Sequence, residues 1–175
     1  MRTKFRLSAV LAALIALVVL VSGSTAAYAN GGKGKKVRLT AEEIQFEFTT
    51  GETPSLGDEL VFSETLFKRG REVGQSGVVC TVVQATPPYT TVSFHCVGTL
   101  SLRKGQITLQ GLIEVQGLDD PGPFKVAITG GTGKFKCAGG QATYRQTGDT
   151  TAVYKLKIKD FCKDKKHKKH KRHHH

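Results

Sequence analysis

A glycine-rich stretch at residues 127–140, AITGGTGKFKCAGG, has the residue types of a phosphate-binding loop. Such a loop requires a strand, a turn whose amides face the anion, and then the N-terminus of a helix. The residues after Gly133 include Phe135, Cys137, Gly139, Gly140, Thr143 and Tyr144, a β-leaning run without a helical apolar period, and Lys134 follows no G-x4-G spacing. The nucleotide reading fails here. Histidine chemistry is equally scarce, because His95 is the only histidine between residues 39 and 158. A Ser-His-Asp or Cys-His system would have to be built on it, yet it falls on the more polar face of its segment. Neither H-E-x-x-H nor C-x-x-C occurs, which sets aside zinc hydrolase and dithiol redox chemistry, and no metal or cofactor is expected. The imidazoles of His167, His170 and His173 to His175 could meet a metal ion, but the lysines among them repel cations.

The elements that must position any remaining chemistry are strands. Ile44, Phe46 and Phe48 alternate with Gln45 and Glu47, and Val92, Phe94, Cys96, Leu100 and Leu102 alternate with Ser93, His95, Thr99 and Ser101. This period of two gives each strand two chemically different faces. Glycine and proline clusters divide the chain into eight such pieces joined by short connections, which favour sequential antiparallel pairing. An open sheet of eight strands would expose two edges, and closure removes both. The expected fold is all-β, an eight-stranded antiparallel up-and-down barrel, with a two-sheet sandwich as the structural alternative. A barrel of this size is either filled by side chains or holds one small ligand.

Residues 1–29 read as a secretory signal peptide: Arg2, Lys4 and Arg6, an apolar run over residues 7–21, and the small-residue end Ala27-Tyr28-Ala29. The apolar run is too short for a membrane anchor, so no transmembrane span is expected once the signal is removed. The formal net charge of +12 sits at the ends of the chain. Between residues 39 and 158 there are eleven basic and twelve acidic residues, whereas residues 159–175 hold eight Lys or Arg against Asp160 and Asp164. The expected organisation is a signal peptide (1–29), a basic Gly/Lys linker (30–38), a barrel (39–158) and a flexible Lys/His-rich tail (159–175). The tail suits a polyanion, although a solvated extension would have the same composition.

Four cysteines in an exported chain point to disulfides. Paired residues of an antiparallel hairpin have a constant index sum. Cys80 and Cys96 are symmetric about Pro88, and Cys137 and Cys162 about the turn Gly148-Asp149-Thr150-Thr151. The expected bonds are Cys80–Cys96 and Cys137–Cys162, the alternative being one bond and two buried thiols.

The glycine-rich stretch resembles the G-G-[ST]-G signature of the allene oxide cyclase and dirigent-like barrel family, preceded by A-[IV]-T and followed by an aromatic. The Ser55-Leu56-Gly57-Asp58 segment, the FSETLF run from Phe62 to Phe67, Val73-Gly74 before Cys80, and GQITLQG at residues 105–111 follow in the family's order. The resemblance covers residues 40–158 and implies the same barrel. It also implies site residues. The glutamate and asparagine that open and steer the epoxide in plant allene oxide cyclases are matched by Glu43, the expected catalytic residue, and Gln45. An asparagine on the second strand is matched by Glu64, a pocket cysteine by Cys80, and a fifth-strand tyrosine is replaced by Ile113. Family oligomers imply a trimer or dimer.

A buried carboxylate with a raised pKa can protonate an epoxide or stabilise a developing cation between apolar walls. Loss of the fifth-strand tyrosine removes a polar anchor, and a disulfide at Cys80 removes its thiol from chemistry. The chain is thus expected to be secreted and to bind a small apolar or unsaturated molecule, steering its cyclisation or its coupling as dirigent proteins do. The competing expectation is a non-catalytic extracellular module tethered to a polyanionic surface by its tail. An open cavity on which Glu43, Gln45 and Glu64 converge favours the first, and a barrel packed shut favours the second.

Overall fold

A computed structural model describes residues 34–49, 51–117 and 122–162. The expected signal peptide, most of the expected linker and the tail beyond Cys162 lie outside the described residues. Eight antiparallel strands follow one another as β1 (Lys35–Thr49), β2 (Glu59–Lys68), β3 (Arg71–Ala85), β4 (Thr91–Leu102), β5 (Gly105–Gln116), β6 (Phe124–Gly131), β7 (Ala138–Gln146) and β8 (Thr151–Asp160). They form a closed barrel in which each strand pairs with its sequence neighbours. Closure comes from the first half of β1, where Lys35 opposes Ile158 and Glu42 opposes Thr151. No free edge remains, and the sandwich alternative is excluded.

The barrel begins earlier than the charge pattern suggests. Residues 35–38 belong to β1 rather than to a linker, because Lys36 and Arg38 alternate outward with half-buried Val37 and buried Leu39. Their basic side chains are exposed strand positions, which composition alone does not separate from a solvated run.

The interior has two regions of different character. Near the end where β1 begins, Leu39, Leu66, Leu100, Ile107 and Leu156 are almost fully buried and form a packed plug with Ile128 and Ala142. Toward the opposite end, Val82, Val92, Phe94, Val115 and the Cys80–Cys96 pair form a second cluster along β3 to β5. Both disulfides are present, Cys80–Cys96 between paired positions of β3 and β4, and Cys137–Cys162 between the residue just before β7 and the second residue after β8.

The glycine-rich stretch is the corner between β6 and β7, with a short 3-10 turn at Gly133–Phe135. It is pinned onto the β4–β5 turn: Thr132 and Lys134 donate backbone N–H groups to the carbonyls of Gln106 and Lys104, and Gln106 N–H is received by the Thr132 hydroxyl at 3.0 Å. Gly133 has φ +56, and a side chain on Gly131 would strike the Gln106 carbonyl oxygen and Phe135. These glycines let two backbones approach and close the barrel.

Candidate functional site

A cavity of about 470 Å³ opens at the end opposite the plug. Its walls are mostly apolar, with Phe48, Leu60, Phe62, Val78, Phe94, Ile113 and Phe124 among them, and the β7–β8 turn at Asp149 to Thr151 flanks it. Volume and lining suit one small organic molecule.

The polar group at its inner wall is Glu64 on β2, only 3 % exposed. Its Oε2 accepts hydrogen bonds from Ser76 Oγ at 2.5 Å and from the Tyr154 hydroxyl at 2.6 Å. The Tyr144 phenol lies near the carboxyl, and its ring meets that of Tyr154 edge-on with centroids 5.1 Å apart. Burial pushes the Glu64 pKa above the ordinary carboxylate value, and the nearby Glu43 carboxyl adds to the rise, while the hydroxyls of Ser76, Tyr154 and Tyr144 pull the other way. Desolvation is the largest of these causes, and it shifts the group toward its neutral form. The same burial, with the Glu64 charge beside them, raises the pKa of Tyr154 and of Tyr144 and keeps both phenols protonated.

Glu43 lies directly opposite Glu64 in the β1–β2 register and lines the cavity, but as a residue it is exposed. Of this facing pair, Glu64 is the buried carboxyl, and its pKa is the one burial raises, while Glu43, the residue expected to be catalytic, is the exposed member. Cys80 and Ile113 also line the cavity, with Cys80 bonded to Cys96 so that a disulfide rather than a thiol faces the interior. Gln45 is exposed and is not among the lining residues. The cause is a β-bulge between Glu43 and Gln45: Gln45 opposes Ser63, and Phe46 and Phe48 oppose the lining residues Phe62 and Leu60. The extra residue Ile44 shifts the alternation, so Glu43 and Phe46 share a face and Gln45 looks away.

Tyr144, Tyr154 and Ser76 were missed by sequence reasoning. Tyr154 had a usable signal, since it alternates in phase with Leu156 and Ile158 and so had to place a phenol indoors. His95 is exposed and contacts Gln110 at 2.9 Å, away from these groups. The cluster Cys137, Asp160 and Cys162 has metal-ligand residue types, but both sulfurs are bonded to each other.

Comparison with known proteins gives the same architecture. The family model described as the allene oxide cyclase barrel like domain matches residues 35–159. A solved structure of a pyocyanin demethylase is 27 % identical, with a TM-score of 0.63, covering 71 % of this chain and 99 % of that one. An exo-specific intermolecular Diels-Alderase is 16 % identical with a TM-score of 0.54, covering 73 % of this chain and 98 % of that one. A nonspecific heme-binding cyclase that catalyses [4 + 2] cycloaddition during neoabyssomicin biosynthesis is 18 % identical with a TM-score of 0.58, covering 91 % and 80 %. No curated protein matches the sequence.

Proposed function

Because this chain belongs to the allene oxide cyclase barrel-like family, we propose that it binds a small apolar or unsaturated molecule in the Glu64 cavity and steers its cyclisation or coupling. The observation that carries the proposal is a buried carboxyl with a raised pKa at the wall of an apolar cavity of about 470 Å³. A neutral acid there can donate a hydrogen bond or a proton to a carbonyl, epoxide or similar oxygen of the bound molecule. Apolar walls hold the remaining carbon skeleton in a reactive conformation, and exclusion of water strengthens the polar contact. Ser76 and Tyr154 orient the carboxyl, and Glu43 across the strand pair disfavours its ionisation. The pyocyanin demethylase and the cycloaddition enzymes of the same fold, all acting on small organic molecules, support this class of ligand. In this reading residues 1–29 direct export, and the two disulfides suit an oxidising compartment.

The test is binding of N-phenyl-1-naphthylamine, a neutral apolar fluorophore, to the full chain and to Ile113→Trp, which fills the cavity from β5. The wild type should bind one probe per chain, and the tryptophan should weaken binding at least tenfold. Equal binding by a folded Ile113→Trp protein would place the probe elsewhere and overturn the reading. Native mass spectrometry of protein from its own host should then show a bound organic molecule.

A further inference from the structure

The strands distribute charge unevenly between the two ends of the barrel. Glu43, Glu47, Asp58, Glu59, Glu114 and Asp149 lie toward the end where the Glu64 cavity opens. At the opposite end, beyond the packed plug, a shallow recess of about 820 Å³ is rimmed by Lys35, Lys68, Arg103, Lys104, Lys134 and Lys159 against a single acid, Asp160. Arg69, Arg71 and Lys136 add exposed cations in the adjoining turns, and Glu72 is the other acid there. The body is nearly neutral in sum, yet apart from Lys125 and Arg145 toward the cavity end and Lys155 and Lys157 along β8, the fold gathers the basic residues between 39 and 158 at the closed end.

That face also offers apolar groups. Half-buried Val37, Val73, Leu102 and Phe135 line the recess inside the basic ring, and Phe161, 50 % exposed, stands beside Gly139 at the same end. The described chain starts at Gly34 and finishes at Cys162, both at this end. The adjoining sequence carries Lys33 before it and seven further Lys or Arg after it. A ring of cations around an apolar centre, with an exposed aromatic beside it, matches the layered chemistry of an anionic lipid surface: phosphates outside, acyl chains within.

We propose that the closed end of the barrel docks on an anionic membrane surface through the Lys68, Arg103, Lys104 and Lys134 rim. Docking this way turns the mouth of the Glu64 cavity toward the water. The contact belongs to the folded barrel itself and not only to the Lys/His-rich segment that follows it.

Flotation of the full chain with vesicles tests this. Binding is expected to mixed phosphatidylcholine–phosphatidylglycerol vesicles and not to phosphatidylcholine alone, and to fall as salt is raised. A Lys68→Gln/Lys104→Gln/Lys134→Gln variant should bind about a hundredfold more weakly, from roughly fivefold per charge removed near such a surface. Its far-UV circular dichroism should be unchanged, because all three side chains are exposed. Undiminished binding by this variant, with loss only in Lys165→Gln/Lys166→Gln/Lys168→Gln, would assign the contact to the tail and overturn the proposal. Retention on polyphosphate or nucleic acid without vesicle binding would overturn it as well.

Discussion

Glu64 sits at the point where the residues of this protein come closest to chemistry. Hydrogen bonds from Ser76 and Tyr154 would by themselves lower its pKa, but burial outweighs them and the pKa lies above the ordinary carboxylate value. Below the ordinary carboxylate range, the group is protonated whether the chain is folded or not. Between that range and the raised value, the folded protein keeps a proton that the unfolded chain has released, so stability falls as pH rises through this window and then levels. Glu64→Gln removes this dependence while keeping an acceptor for Ser76 and Tyr154. The Tm of the variant relative to wild type should therefore climb with pH across the window, and a constant difference would refute a raised Glu64 pKa. Glu64→Leu should instead cost about 1–3 kcal/mol by leaving both buried hydroxyls unpaired, measured by urea denaturation. Both Glu43 and Glu64 were legible as candidates in the sequence, but not which of them is buried. Glu43 and Glu64 are opposite each other, and which one is buried depends on how Tyr144 of β7 and Tyr154 of β8 cover β2. That packing joins residues about ninety positions apart, which no local pattern records.

At the scale of elements, period-two alternation made the strands legible because nearly every strand has one apolar face. The failures occur where the period breaks. The bulge at Ile44 moved Gln45 off the cavity wall, and further shifts of register occur between Leu66 and Phe67, between Val82 and Gln84, and between Thr108 and Leu109. The start of β1 was obscured by its lysines, whose charge concealed the alternating Val37 and Leu39. The glycine corner behaves in the opposite way, because its composition signals a special backbone even when the purpose is misread. Gly131→Ala should lower stability by about 2–3 kcal/mol, since the new methyl meets the Gln106 carbonyl and Phe135. Faster hydrogen exchange at the Thr132 and Lys134 amides should accompany the loss and locate it at the β5–β6 seam.

At the scale of the whole molecule, barrel closure follows from eight strands with short connections; hairpin symmetry places Cys80 and Cys96 in register, whereas Cys137 and Cys162 bond one position off the β7–β8 register, in which Cys137 receives the Phe161 N–H. Each crosslink closes a modest loop, 16 residues apart in one case and 25 in the other. Cys80→Ser with Cys96→Ser should cost about 3 kcal/mol through restored freedom of the unfolded chain, read as a lower urea midpoint at unchanged slope. A loss far below this would mean that the cavity-side sulfurs contribute little beyond packing. The sorting of charge between the two ends was invisible in the sequence, where the same lysines and arginines are scattered among acids. It emerges only when up-and-down winding gathers alternate turns at each end.

The bulge in β1 also has a bearing on how such a barrel can be altered. An added residue in a regular strand would invert every position after it, exchanging wall for surface. Because Ile44 is set aside from the ladder, the count of residues in this strand is uncoupled from the identity of the wall beyond it. Its removal would leave Phe46 and Phe48 directed inward. Chain length can thus vary at this one place without rewriting the chamber, a freedom that descendants of the sequence, natural or designed, could use to reshape its entrance while its lining stays the same.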